Sequence, residues 1–247
     1  MTGVRGLLLR TTPDGPQGIV ACEPNAWARQ ARDRLVGREV ALWLLDTGLD
    51  VIGSHPVDDA LLDHAERSRA AGFVRETDRH RYRAAHVGLR VLLGGYLRVP
   101  PDRVEFVRED CPRCGGPHGR PAVAGGGVHF SLSHSGDVAL LALAGVPVGV
   151  DVEAVPEPQA VTDLLAVLHP READELRSLR EAQRPDALAR VWSRKEAYLK
   201  GTGEGLAFGF AHPYVGSAPE PAQLPGWKLR DAACPAGYAA ALCVSTG

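Results

Sequence analysis

HFSLSHSGDVALLALAGVPVGVDVE, residues His129 to Glu153, contains three short apolar runs cut by two sets of turn residues. The runs His129 to His134, Val138 to Ala144 and Val148 to Glu153 read as strands, and Ser135-Gly136-Asp137 and Gly145-Val146-Pro147 read as the turns between them. The economical expectation is an antiparallel meander. Upstream, Val40 to Asp46 predicts a further strand, preceded by an irregular lead-in over residues 1–38 that contains Pro13, Asp14, Gly15 and Pro16. Between them Asp58 to Leu97 turns helical, with Tyr82, Ala85, His86, Leu89, Leu92, Leu93 and Tyr96 at the spacing of a buried face. Downstream a second helical region runs from about Val161 to Lys200, broken near Pro170 and Pro185, with Gly201 placed as a helix-ending glycine. A last apolar strand is expected at Tyr238 to Val244. Strand, helix, strand, helix makes a mixed α/β (α+β) layout, with a weak echo between the two halves.

Composition narrows the classes. The chain has 247 residues, 45% hydrophobic and 23% charged, with a formal net charge of −2. That suits one large domain or two small ones with a sizeable core, and gives no overall charge for binding nucleic acid or a membrane surface. The small net charge conceals a basic segment, Glu66 to Arg120, with 12 arginines against 7 acids, and an acidic one, Asp151 to Arg190, with 9 acids against 5 arginines. No run approaches the roughly 20 apolar residues of a spanning helix, and Leu7 to Leu9 is too short for a secretion signal. The cysteines, Cys22, Cys111, Cys114, Cys234 and Cys243, are odd in number, so reduced thiols in a cytoplasmic protein are expected.

Three places carry candidate chemistry. In Val148 to Glu153 strict alternation puts three valines on one face and Gly149, Asp151 and Glu153 on the other. Two carboxylates about 6 to 7 Å apart along a strand suit either a divalent cation such as Mg²⁺ or a solvated face. In the helix Pro185 to Lys200, Leu188, Val191, Trp192, Tyr198 and Leu199 form an apolar stripe with Lys195 in its middle, while Glu196 and Lys200 lie together on its flank. Among 28 basic residues lysine stands only at Lys195, Lys200 and Lys228. A compact ammonium used so selectively points to catalysis or phosphate contact rather than to a surface ion pair. Finally Ser131 to Asp137 ends a strand in Ser-His-Ser-Gly, whose hydroxyls, imidazole and backbone donors suit a phosphate, although such residues are also ordinary turn formers. It lacks the Gly-x-Ser-x-Gly pattern of a nucleophile elbow.

Taken together, SLSHSGD at Ser131 to Asp137, VGVDVE at Val148 to Glu153 and WSRKEAYLKGTGEGL at Trp192 to Leu206 resemble the three signature blocks of the phosphopantetheinyl transferases of the surfactin-synthetase-activating (Sfp) type. Asp78 to Arg90 and Gly119-Arg120-Pro121 also resemble family elements, with Arg120 standing where many members carry lysine. The resemblance implies Mg²⁺-dependent transfer of the 4′-phosphopantetheine arm of coenzyme A to a serine of an apo acyl or peptidyl carrier protein, with release of adenosine 3′,5′-bisphosphate. It implies that Asp151, Glu153 and Glu196 hold Mg²⁺ and that Lys200 neutralises the leaving phosphate. The base is then Glu196, Lys200 or a water held at the metal. By the same likeness Ser133, His134, Arg120, Arg81 and Arg69 hold coenzyme A phosphates, and Lys195 lines the same cleft. The implied fold is a pseudo-dimer of two similar α/β halves, here 39–145 and 146–247 after the 1–38 extension, with the cofactor between them. A cytoplasmic monomer serving polyketide or nonribosomal peptide synthesis is the matching biology, with carrier docking near Ala154 to His169.

Two rivals remain from the residues alone: a non-catalytic coenzyme A-binding module, and a metal-dependent nuclease, whose sites usually carry Glu-x-Lys on a strand. The motif Cys111-Pro112-Arg113-Cys114, with His118 nearby, has the spacing of part of a zinc site. No fourth ligand follows at finger spacing, so the expectation is a turn-rich loop with two thiols leading into Arg120.

Overall fold

The computed structural model describes residues 8–12, 15–21, 40–205 and 210–247; Pro13, Asp14, Cys22 and Leu206 lie outside the described residues. The chain divides into two compact units, the first running through Val107 and resuming over Ala122–Gly145, the second comprising Arg108–Pro121 and Val146–Gly247. The segment Arg108–Pro121 thus belongs with the second half, although sequence order alone places it in the first.

Strands β1 (Leu8–Thr12), β2 (Gly15–Ala21), β3 (Val40–Asp46), β4 (Val51–Ile52) and β5 (His55–Pro56) come first, followed by helices α1 (His64–Ala71) and α2 (Glu76–Leu97). Next are β6 (Phe106–Arg108), β7 (Pro121–Val123), β8 (His129–Ser135) and β9 (Val138–Ala144). β1 and β2 lie within the lead-in that the sequence presents as irregular. They are recruited by backbone pairing, since β1 lies antiparallel to both β2 and β3, and their own residues give no alternating pattern to announce it.

The sheet of the first unit has the order β2-β1-β3-β9-β8. Its core sets Trp43, Leu45, Phe130, Leu141 and Leu143 with Ala84, Ala85, Leu89, Leu92 and Leu93 of α2, so the spacing read from Tyr82 onward does mark a buried face. Arg90 of α2 is buried as well. Its guanidinium donates to Glu66 at 2.6 Å, to Asp63 at 2.9 Å and to the Val104 carbonyl at 2.9 Å. Asp63 and Glu66 also form the capping box that starts α1.

The second unit continues with β10 (Val148–Ala154), α3 (Pro158–Leu164), α4 (Pro170–Ser178), α5 (Arg184–Thr202), β11 (Trp227–Asp231) and β12 (Tyr238–Ser245). The expected meander ends after two strands. β9 is already paired on one side with β8 and on the other with β3, so no edge is left for β10, which pairs with β12 in the antiparallel sheet β10-β12-β11. Prolines sit in the first turn of α3, α4 and α5, where a missing N–H costs nothing. α5 ends at Gly203 with φ +78°, two residues beyond the glycine that the sequence suggests. α5 packs on β10 and β12 over a core of Leu188, Val191, Ala197, Leu229, Ala241 and Cys243. Each unit thus pairs an antiparallel sheet with one long helix. Among the described residues no helix is long and apolar enough to cross a membrane.

Candidate active site

Strand period places Gly149, Asp151 and Glu153 on one face of β10, opposite Cys243, Ala241 and Ala239 of β12. That face receives α5. A Cβ on Gly149 would lie 2.0 Å from the Ala197 carbonyl oxygen and 2.3 Å from the Gly201 nitrogen, so strand and helix meet backbone to backbone. Gly201, inside the last turn of α5, faces the same contact, where a Cβ would lie 3.3 Å from the Gly149 nitrogen.

The close approach brings the neighbouring side chains together. Lys200, one residue before Gly201, donates from Nζ to Asp151 Oδ1 at 2.6 Å. Asp151 is 1% exposed, whereas the Lys200 side chain is about a third exposed, so the pair joins a buried carboxylate to the solvent edge of the site. Glu196, one turn earlier on α5, is half-buried. Burial pushes its carboxyl above the ordinary value, Lys200 pulls it down and the charge on Asp151 pushes it up again. Asp151, Glu196 and Lys200 therefore form one electrostatic group. Glu153 sits two residues further along the strand face, half-buried, at the rim of an open apolar hollow lined by Pro156, Leu164, Leu188 and Trp192.

Lys195 does not join them. It is fully buried, and its ammonium lies 2.9 Å from Glu172, also fully buried, while donating to the Pro213 carbonyl. Burial pushes the Lys195 ammonium below its ordinary value and Glu172 partly offsets this. The expectation that Lys195 lines the cofactor cleft is corrected accordingly. The lysine interrupts the apolar stripe because an acid on α4 waits opposite it, and Glu172 additionally accepts from the Val215 amide at 2.7 Å. No local pattern links residues 172 and 195, so sequence reading could not find the pair. Its neighbour Arg194, also fully buried, binds both oxygens of Asp231 at 2.6 and 2.8 Å and the carbonyls of Gly216, Ala218 and Pro219.

Arg120 is tied to the C-terminal end of α5, the end that carries Lys200. Its guanidinium donates to the Gly201 carbonyl at 2.6 Å and lies 2.7 Å from Glu109. A cation at a helix C-terminus complements the carbonyl dipoles there. It is half-buried, next to the turn that carries Lys200.

In the first unit the other expected residues gather around Tyr82. His134, exposed at the end of β8, meets the Tyr82 ring edge-on at 6.4 Å. Tyr82 packs on Phe73, and the Arg69 guanidinium lies 5.3 Å over the Phe73 ring. Burial pushes the Tyr82 phenol up to about 12, so it stays neutral and serves as a packing platform. Arg81, one residue before it, binds Asp137 in the β8–β9 turn at 2.7 Å. That pair fixes the turn against α2, and Asp137, read from sequence only as a turn residue, is its anchor. Ser133 is buried on β8. Arg69, Arg81 and His134 thus lie on separate contacts of the first unit, with Phe73, Asp137 and Tyr82 respectively, while Lys200 meets Asp151 and Arg120 meets the Gly201 carbonyl in the second.

Comparison with known proteins decides the family. A family model described as the 4′-phosphopantetheinyl transferase superfamily matches residues 147–243, a span that includes β10, α5 and nearly all of β12. The chain is 36% identical over 206 residues to the 4′-phosphopantetheinyl transferase HetI of Nostoc sp., covering 79% of this chain and 83% of that protein. The chain belongs to the 4′-phosphopantetheinyl transferase superfamily. Similarity extends to a phosphopantetheinyl transferase of Thraustochytrium sp., 33% identical over 61% of this chain and 56% of that one. It reaches the 4′-phosphopantetheinyl transferase Sfp of Bacillus subtilis, 23% identical over 58% of this chain and 60% of that one. Among family members the Sfp type is the one whose signature blocks the sequence carries.

Proposed function

We propose that this phosphopantetheinyl transferase moves the 4′-phosphopantetheine arm of coenzyme A onto a serine hydroxyl of an apo carrier protein, requires Mg²⁺, and releases adenosine 3′,5′-bisphosphate. The observation that carries the reading is the meeting of Asp151 on β10 with Lys200 on α5 at 2.6 Å, beside Glu196, on the face that also bears Glu153. Transfer at a pyrophosphate needs charge stabilisation on the phosphate oxygens, a proton acceptor for the hydroxyl and a group to meet the leaving phosphate.

The donors fit a hard divalent ion. Asp151, Glu153 and Glu196 offer carboxylate oxygens from two regular elements, and burial first, with a smaller push from Asp151 against the pull of Lys200, raises the Glu196 carboxyl, a cost that a bound cation would relieve. These three carboxylates would hold Mg²⁺, which would supply Lewis-acid stabilisation of the charge that develops on the phosphate. The serine oxygen forms a bond to the β-phosphorus as the bond from that phosphorus to the bridging oxygen breaks, and the bisphosphate leaves with the electron pair. Lys200, an ammonium donating to Asp151, has no lone pair for the serine proton and instead meets the leaving phosphate. Glu196 takes the proton. Family likeness supports phosphate contacts for Arg120 in the second unit and for Arg69, Arg81, Ser133 and His134 in the first. The apolar hollow beside Glu153 suits an uncharged pantetheine arm or an apolar side chain of the carrier. Family likeness further supports a cytoplasmic monomer that serves polyketide or nonribosomal peptide synthesis.

The test is intact-mass spectrometry of several apo carrier proteins incubated with the protein, coenzyme A and Mg²⁺, with a chelated control. A gain of one phosphopantetheine arm, lost on chelation and lost in Asp151→Ala and Glu196→Ala variants that keep their fold, is the expected result. Coenzyme A binding without transfer to any carrier would overturn it in favour of a binding module.

A further inference from the structure

The hairpin Arg108–Pro121 carries a side-chain cluster that the transfer chemistry does not use. Cys111 Sγ, Cys114 Sγ and a ring nitrogen of His118 all lie within 4.8 Å of one another, and His118 Nε2 is 3.0 Å from Cys114 Sγ. Both cysteines are thiols. The sequence offered two thiols in a turn; the fold turns them and the imidazole to one point.

That convergence is built by the backbone. The Cys111 amide donates to the Gly116 carbonyl at 2.7 Å, the Gly115 amide to the Cys111 carbonyl at 2.8 Å and the His118 amide to the Gly116 carbonyl at 2.8 Å. Gly115 has φ +70°, a conformation that glycine adopts without strain. A Cβ on Gly116 would lie 3.0 Å from the His118 ring and 3.4 Å from Cys114 Sγ, so imidazole and thiol close over a residue that has no side chain. Gly119 is equally constrained, since its Cβ would lie 2.5 Å from the Glu109 carbonyl oxygen. The ligand-bearing loop is therefore held in place before any ion arrives.

The geometry points to a zinc-class site formed by Cys111, Cys114 and His118, distinct from the carboxylate site and independent of the proposed reaction. Tetrahedral coordination with Zn–S near 2.3 Å and Zn–N near 2.0 Å separates neighbouring ligand atoms by about 3.5–3.8 Å, within the span the three side chains already keep. Two sulfurs and an imidazole favour Zn²⁺ over Mg²⁺, which takes oxygen donors. Cys111 is buried while Cys114 and His118 are exposed, so the fourth position opens to water. Arg120 follows two residues after His118 and is tied to the end of α5; the ion would staple the hairpin that carries it.

The full-length protein, purified with reductant and freed of metal, is titrated with Zn²⁺ and separately with Co²⁺. One equivalent of Zn²⁺ should remain bound through native mass spectrometry. Co²⁺ should develop the sulfur-to-metal charge-transfer band and the visible bands of a tetrahedral site, which carboxylate ligation does not give. Cys114→Ser should cut the sulfur-to-cobalt band by about half, one of two thiolates being gone, and His118→Asn should keep the band while weakening Zn²⁺ by about 10-fold or more. Both residues are exposed, and circular dichroism identifies any variant that has lost its fold. Absence of a sulfur-to-cobalt band, Zn²⁺ retained undiminished by folded variants, or a Cys111–Cys114 disulfide forming in air at saturating Zn²⁺ would each overturn the site.

Discussion

Lys195 and Lys200 sit five residues apart on the same helix and have opposite roles. Lys200 reaches the edge of the carboxylate face and pairs with Asp151, whereas Lys195 is sealed inside with Glu172. Rarity of lysine in this arginine-rich chain flagged both equally. Composition registers that an ammonium is wanted but not whether solvent reaches it. Removing one member of a buried pair strands the other's charge and costs about 3–5 kcal/mol. Lys195→Met should therefore lower stability to urea by about that amount while leaving the KM for coenzyme A of the folded enzyme unchanged. Unchanged stability with a raised KM would restore Lys195 to the cofactor site.

At the scale of elements, the site depends on how closely β10 and α5 approach. Gly149 is where a side chain would strike the helix backbone itself, which cannot swing aside as a long side chain can. Gly149→Ala should push α5 away from the strand at a cost of about 1–3 kcal/mol or more. It should separate Lys200 from Asp151, so that more Mg²⁺ is needed for half-maximal transfer. Wild-type stability together with a wild-type Mg²⁺ requirement would show that the approach does not set the site. The shared faces of Asp151 with Glu153 and of Glu196 with Lys200 were legible because strand and helix periods fix which side chains lie together, and β10 was legible by the same alternation, whereas β3, β8, β9 and β12 were legible as short apolar runs, β9 being buried throughout. β11 was not, since of Trp227–Asp231 only Leu229 is buried and a single inward residue makes no alternation. Nor was the partner of β10. Pattern tells that a strand exists, but which edge stays open depends on strands far away in the chain, here β3 beside β9.

Over the whole molecule, each of the two units holds one carboxyl whose lowered titration should make the fold sensitive to acid. Glu66 in the first unit is pushed up by burial, but hydrogen bonds from His86 and the Asp63 amide, with the charge of Arg90, outweigh this and hold its carboxyl below the ordinary 4.5. In the second unit burial likewise raises Glu175, and hydrogen bonds from Tyr214 and from the Ser217 amide and hydroxyl bring it below 4.5. A carboxyl depressed in the folded state stabilises the fold fully above its unfolded value and loses that contribution as pH falls from there through the folded value. The urea midpoint should hence be flat above about pH 5.5, where a carboxyl at 4.5 is about nine-tenths ionised in the unfolded chain and more so in the folded one, and should fall steadily below pH 4.5. Glu66→Gln cannot ionise and gives up hydrogen bonds to a charged acceptor worth about 1.5–3 kcal/mol. It should be less stable at pH 7 yet lose less on acidification, and adding Glu175→Gln should flatten the acid limb further. If the double variant and the wild type fall in parallel from pH 5 to pH 3, acid sensitivity lies with other carboxylates and the two networks are ordinary packing.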